Sequence, residues 1–110
     1  MSFFEYIQLL FVVILMSLGQ ILFKYAANDS NKYFGVLNIK LILALTVYLF
    51  SAFLWVYILR AIPLKTAYPF VALAFIIVPF LASIFFGEIL SWNNYLGALI
   101  ILIGVIITTI

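Results

Sequence analysis

Four long runs of apolar residues, separated by short polar stretches, occupy almost the whole chain. Each run has about 20 residues, the length an α-helix needs to cross a hydrocarbon core about 30 Å thick. The runs lack the alternating faces of membrane β-strands. The pattern predicts an all-α membrane protein with one compact domain over residues 1–110, whose four transmembrane helices lie at roughly 4–25, 39–59, 66–86 and 92–110.

The connections between the predicted helices are short and polar. A loop is predicted between residues 26 and 38, and a tight turn around Pro63. Gly87 and Glu88 mark the exit of the third helix, and Trp92 opens the fourth at interface depth. We expect the first helix to remain in the mature protein, because the N-terminus has no basic region or cleavage site of a signal peptide.

Composition excludes several classes of function. The chain is 70% hydrophobic and 7% charged, whereas soluble domains are about half apolar and about a quarter charged. It has no cysteine or histidine, and no paired acidic residues. We therefore expect no enzyme activity, no metal site and no cofactor. The net charge of +2 comes with scattered basic residues, which argues against nucleic-acid binding.

The topology gives a weak indication of orientation and a stronger one of assembly. Four crossings place Lys24, Lys32 and Lys40 on one side and Arg60 and Lys65 on the other. This favours a cytoplasmic first loop and leaves dual orientation open. Four helices hardly surround a path for a solute larger than an ion, so we expect a homodimer or a heterodimer with a similar four-helix subunit.

The first helix carries a candidate polar lining. Ser17, Gln20 and Lys24 occupy positions i, i+3 and i+7 and so share one face. Polar groups at membrane depth usually face the bundle interior or a cavity. The alternatives are that Gln20 bonds another helix and Lys24 extends to the headgroups. Lys24 and Glu88 either form an ion pair or act as a gate for an amine or a proton.

Aromatic residues, proline and glycine supply the remaining candidates. Tyr48 and Trp55 on the second helix, with Tyr68 at the start of the third, either hold a lipid or sugar ring or simply pack and anchor. Pro79 lies in the middle of the third helix and predicts either a static kink or a hinge. Gly97 and Gly104 lie on one face of the fourth helix, where small residues allow close packing within the monomer or in a dimer.

Three short motifs then resemble a known family. They are Gly-Gln at 19–20 with Lys24, the Pro-x-x-x-Ala-Tyr-Pro segment at 63–69, and Gly-Glu at 87–88. The chain resembles the drug/metabolite transporter superfamily in its four-helix form, which is small multidrug resistance-like or EamA-like. The resemblance covers nearly the whole chain, and the 63–69 segment is its most specific part.

Two branches of this superfamily fit differently. The small multidrug resistance exporters exchange protons for cations through a glutamate in the first helix, and here Met16 stands at that position. No carboxylate occurs between residues 6 and 28. Export of cationic or polar metabolites is therefore the alternative rather than the preferred hypothesis.

The chain resembles the second branch in more of its motifs. This branch comprises the paired subunits that flip undecaprenyl-phosphate-linked aminoarabinose across the bacterial inner membrane. The resemblance implies a polyprenyl-phosphate-linked sugar as substrate, with membrane lipids around it. Lys24 would then offset the phosphate charge, Gln20 and Ser17 would bond sugar hydroxyls, and Arg60 and Lys65 would receive the phosphate on the opposite face. A subunit that only supports a larger complex remains a third possibility.

Overall fold

A computed structural model describes residues 3–28 and 39–110 of the chain. The predicted polar loop, with Lys32, falls mainly on residues 29–38 and lies outside the described residues. The described part contains five helices: α1 (Phe3–Asn28), α2 (Ile39–Leu59), α3 (Leu64–Val71), α4 (Ala74–Phe86) and α5 (Trp92–Thr109). Together α3 and α4 make the third of four membrane-length spans. The predicted all-α fold with four such spans is confirmed.

The third span begins earlier than the sequence pattern predicts. Pro63 has φ −60° and ψ 144°, an extended conformation that suits the residue before a helix. Its carbonyl accepts hydrogen bonds from the amides of Thr66 and Ala67, so α3 starts at Leu64 rather than residue 66. Pro69 therefore lies beyond the first turn, where its missing N–H removes a helical hydrogen bond.

A short interruption divides this span into α3 and α4. The amides of Ala72, Leu73, Phe75 and Ile76 each bond the carbonyl three residues earlier, at 3.0 to 3.1 Å. This is the tighter 3₁₀ pattern, which often marks strain or a hinge inside a helix. Pro79 lies within α4, which is continuous from Ala74 to Phe86. The break in helical bonding thus precedes Pro79 instead of coinciding with it.

The core is centred on α1. This helix packs mainly on α2 and also contacts α3 and α4. The buried cluster combines side chains from α1, from α2 and its following turn, and from α3: Leu9, Val12, Val13, Ile58, Ile62, Ala67 and Phe70. By contrast, α5 packs mainly on the third span, and Val105 is its one buried residue. The helix α5 is therefore an edge element.

Gly19 allows α1 and α2 to approach closely. A Cβ atom added at Gly19 would lie 3.0 Å from Cδ2 of Tyr48. The Tyr48 ring also packs on Phe23, with ring centroids 5.5 Å apart. One aromatic side chain of α2 therefore fills the space that the glycine of α1 leaves open.

The connection from α4 to α5 is defined by local backbone chemistry. Gly87 has φ 67° and ends α4 in the left-handed conformation, which glycine adopts at little cost. Asn94 Oδ1 accepts hydrogen bonds from the backbone N–H and the hydroxyl of Ser91, at 2.9 and 3.0 Å. These bonds fix the start of α5. Glu88 lies between the two helices, exposed beside the end of α4.

Candidate functional site

The polar face predicted on α1 is divided between the interior and the surface. Ser17 is fully buried, and its hydroxyl donates to the carbonyl of Val13 at 2.8 Å. Its donor is thus already used within the helix. Gln20 and Lys24 are exposed on the surface of the bundle. The structure therefore separates Ser17 from the other two members of the predicted lining.

Gln20 lines a cavity between α1 and α4. The cavity has a volume of about 340 Å³, and its other walls come from Ala74, Phe75, Val78 and Pro79. Gln20 contributes the polar side chain among these lining residues, with two N–H donors and a carbonyl acceptor. The structure thus brings together two residues that the sequence analysis singled out separately, Gln20 and Pro79.

Proline chemistry adds a second polar group to the same wall. In an α-helix the carbonyl of Phe75 would accept a hydrogen bond from the backbone N–H of residue 79. Pro79 has no N–H, so this bond is missing. Both Phe75 and Pro79 line the cavity that contains Gln20. The cavity therefore has one amide side chain in otherwise apolar surroundings, beside a helix turn whose carbonyl lacks its usual donor. This arrangement can hydrogen-bond a hydroxyl-bearing ligand and has no titratable group among the cavity-lining residues.

The two candidate aromatic residues of α2 pack inside the bundle. Tyr48 contacts Gly19 and Phe23 on α1. Trp55 is half-buried against the core cluster. Neither lines the Gln20 cavity. Their observed contacts are with neighbouring helices.

Lys24 and Glu88 lie at the same end of the bundle. Tyr25 lies in the last turn of α1, and Phe86 is the last residue of α4. The centroids of their rings are 4.6 Å apart. This places the end of α1 beside the end of α4. Lys24 and Glu88 are both exposed, and within the described part of the chain no ion pair joins them. The gate hypothesis and the ion-pair hypothesis both stay predictions.

Three candidates lie at the opposite end. The guanidinium of Arg60 lies over the ring of Tyr57, 5.3 Å from its centroid. Lys65 and Tyr68 are on α3, and the Tyr68 side chain is 63% exposed. None of these three lines the Gln20 cavity. The structure therefore separates two charged ends, with the Gln20 cavity between them on α1 and α4.

The glycine face of α5 does not pack within the described chain. A Cβ atom added at Gly97 or Gly104 would meet no atom of the described residues within 4 Å. Packing of this face against a second subunit remains a prediction. Sequence reasoning missed the close approach of α1 and α2 at Gly19, although a small residue inside a membrane helix is the usual signal for one.

The sequence pattern of the EamA-like transporter family matches residues 1–110. The chain belongs to the EamA-like transporter family. With its four apolar spans, this membership makes it a multi-pass inner-membrane protein of transporter type. The predicted superfamily is confirmed.

Individual relatives of this family member carry more specific names. The chain is 30% identical over 107 residues, 94% of both chains, to a probable 4-amino-4-deoxy-L-arabinose-phosphoundecaprenol flippase subunit ArnE of Yersinia pestis (strain Pestoides F). It is 29% identical over 105 residues, again 94% of both, to the ArnE subunit of Enterobacter sp. (strain 638), which has the same probable name.

A shorter match involves the companion subunit. The chain is 40% identical over 60 residues to a probable flippase subunit ArnF of Proteus mirabilis (strain HI4320), covering 53% of this chain and 45% of that relative. That match spans less than half of the relative's length, as does a 54-residue match to the ArnE subunit of Aeromonas salmonicida (strain A449), whereas the two ArnE matches above are nearly complete. No solved structure gives a significant match.

Proposed function

We propose that the chain is one subunit of a dimeric flippase that moves a polyprenyl-phosphate-linked amino sugar across the bacterial inner membrane. The observation that carries the proposal is alignment over 94% of both chains with relatives named as probable flippase subunits for such a lipid. The Gln20 cavity supports it, because it combines a hydrogen-bonding side chain with apolar walls.

In this proposal the Gln20 cavity takes the sugar. The Gln20 amide bonds sugar hydroxyls, and the Phe75 carbonyl accepts a further hydrogen bond. The lipid tail stays in the bilayer alongside the apolar helices. Lys24 offsets the phosphate charge at one end of the path, and Arg60 with Lys65 receives the phosphate at the other end.

The divided third span supplies the proposed movement. The 3₁₀ segment at Ala72 and Leu73 directly precedes the cavity wall at Ala74 and Phe75. Discontinuous helices line the substrate sites of many transporters. Rotation of α4 at this segment, with Pro79 as a second flexible point, would open the cavity toward either side of the membrane.

A second subunit completes the proposed path. One chain walls the Gln20 cavity on two sides only, with α1 and α4. The exposed glycine face of α5 offers the partner a close approach. The partner is either a second copy or a similar four-helix subunit, in keeping with the two subunit names among the relatives.

Proton-coupled cation export gains no support from the structure. Met16 occupies the position of the exporter glutamate and is half-buried against the core cluster. It has no titratable group, and proton exchange within the membrane requires one. We therefore do not propose the exporter as a second function.

Transport in proteoliposomes tests the proposal. The purified protein is reconstituted alone and with a paralogous subunit, and flipping of a fluorescent polyprenyl-phosphate amino sugar is measured by quencher accessibility. We expect Gln20→Ala to slow flipping about fivefold or more, since a net hydrogen bond contributes about 1 kcal/mol. Asn93→Ala, which removes an exposed amide at the start of α5, is the matched control.

Two results would contradict the proposal. One is flipping that is no faster than in empty vesicles under both reconstitution conditions. The other is retention of quaternary ammonium or guanidinium cations, but not of polyprenyl-phosphate lipids, in native mass spectra of the purified protein. A supporting subunit without its own transport activity would give flipping only with its partner, at a rate that Gln20→Ala leaves unchanged.

A further inference from the structure

A second cavity lies at the other end of α1, between its start and the end of α2. It has a volume of about 370 Å³, and we call it the Glu5/Arg60 cleft after two of its lining residues, which are Phe4, Glu5, Gln8, Tyr57, Ile58, Arg60 and Ala61. This volume is many times the roughly 30 Å³ that one water molecule occupies in the liquid. The cleft therefore has room for a lipid headgroup.

Arg60 is held at the wall of this cleft by Tyr57. The guanidinium lies 5.3 Å from the centroid of the Tyr57 ring, within the range of a cation–π interaction. The Arg60 amide also bonds the Tyr57 carbonyl, at 3.3 Å. A planar guanidinium presents paired N–H donors that match the oxygens of a phosphate. The Tyr57 ring thus holds the Arg60 guanidinium at the wall of the cleft.

Glu5 and Gln8 face the same cleft from α1. They are one helical turn apart and both are half-buried. Glu5 already takes part in an interaction within the protein. A carboxylate has two oxygens and about four acceptor sites, so it can accept from a ligand amine as well. Gln8 adds amide donors and an acceptor for ester or hydroxyl oxygens.

We propose that the Glu5/Arg60 cleft binds a lipid headgroup that carries both a phosphate and a primary amine. Arg60 takes the phosphate, Glu5 takes the ammonium, and the exposed Phe4 side chain contacts the first carbons of the lipid tail. The opposite charges of Glu5 and Arg60 match a zwitterion, whereas a purely anionic headgroup would bring its charge close to the like charge of the Glu5 carboxylate. The binding does not depend on flipping, so the two proposals can fail separately.

Two lipids share this headgroup chemistry, a phosphatidylethanolamine of the bilayer and a polyprenyl phosphate bearing an amino sugar. Native mass spectrometry of the full chain in detergent, with lipids offered in equal pairs, distinguishes them. The first pairs set phosphatidylethanolamine against phosphatidylglycerol, which lacks the amine, and against phosphatidylcholine, which lacks N–H donors. The second sets the amino-sugar polyprenyl phosphate against the same polyprenyl phosphate without its sugar.

We expect the amine-bearing lipid to be retained about two- to fivefold more than its amine-free competitor, the range that a partly exposed ion pair supplies. Glu5→Gln should abolish this preference, and Glu5→Asp should keep most of it. Arg60→Gln should lower retention of every phosphate lipid, and Arg60→Lys should restore part of it. The charge-conserving variants control for altered folding.

The pair that shows a Glu5-dependent preference identifies the source of the ligand. A preference for phosphatidylethanolamine assigns the cleft to a bilayer lipid, and a preference for the amino-sugar lipid assigns it to the proposed substrate. Equal retention within every pair would overturn the proposal. So would a preference that Glu5→Gln leaves intact, even if flipping itself were normal.

Discussion

Replacing Gly19 with alanine would place a methyl group against the ring of Tyr48. The added Cβ would lie 3.0 Å from Tyr48 Cδ2, whereas two carbon atoms are most favourably separated by about 3.5 to 4.0 Å. The ring must move, or α1 and α2 must separate, by roughly 0.5 to 1 Å to restore that distance. Tyr48 cannot move freely, because it also packs on Phe23.

Two opposing contributions set the size of the effect. Inserting an extra carbon into a well-packed site typically costs about 1 to 3 kcal/mol. Alanine in a helix interior is favoured over glycine by about 1 kcal/mol. We therefore expect Gly19→Ala to lower the free energy of unfolding by about 0 to 2 kcal/mol.

A matched substitution separates these contributions. Gly104 is also inside a helix, and a Cβ there meets no described atom within 4 Å. Gly104→Ala gains the same helix propensity without the clash. The difference between the two variants should thus equal the packing cost, about 1 to 3 kcal/mol. This difference in the free energy of unfolding is measured by unfolding both variants in mixed micelles of increasing SDS fraction. The protein concentration is one at which native mass spectra show the monomer.

A double-mutant cycle provides the decisive comparison. Tyr48→Leu removes the ring that the new methyl group would contact, so Gly19→Ala should be less destabilising in that background. Equal effects of Gly19→Ala and Gly104→Ala would refute the close approach of α1 and α2. A Gly19→Ala cost that Tyr48→Leu leaves unchanged would place the clash elsewhere.

Three further predictions concern the rest of the chain. Gly104→Leu should raise monomer stability by up to about 1 kcal/mol through its higher helix propensity, but weaken the proposed dimer, as measured by energy transfer between labelled subunits diluted in liposomes. Pro79→Ala returns an N–H donor to the Phe75 carbonyl, so it should raise stability by about 1 kcal/mol and slow flipping in proteoliposomes. Ser91→Ala removes the hydroxyl that donates to Asn94 and should cost about 0.5 to 2 kcal/mol in SDS unfolding.

Each of these has a result that would contradict it. Unchanged energy transfer for Gly104→Leu would exclude this face from the dimer contact, with Ile103→Leu as the control on the same helix. Pro79→Ala with normal flipping would show that the hinge does not involve this residue. Ser91→Thr keeps a hydroxyl, so a loss equal to that of Ser91→Ala would mean that the cap has no stabilising role.

The number and type of the helices were predictable because hydrophobicity and length decide which segments can cross a bilayer. The division of the third span was not. Pro69 and Pro79 each remove one helical hydrogen bond, and the sequence does not indicate where the backbone accommodates these losses. The structure places the change in bonding between them, at Ala72 and Leu73.

The candidate site was predictable only in part for a related reason. The positions of Ser17 and Gln20 show that they share a face of one helix, but that face is wide enough to meet two environments. In the folded chain Ser17 is enclosed and Gln20 borders a cavity. Which neighbour lies against each position depends on how the helices are rotated, and so does the lining of one cleft by both Glu5 and Arg60.

The edge position of α5 separates the choice of partner from the stability of the subunit. A Cβ atom added at Gly97 or Gly104 would meet no side chain of the described bundle within 4 Å, and Val105 is the one residue that α5 buries. Substitutions on this face can accumulate without repacking the core on α1. A duplicated gene could therefore diverge from self-association to exclusive pairing with its sister by changes confined to one helix, while both products kept the same fold.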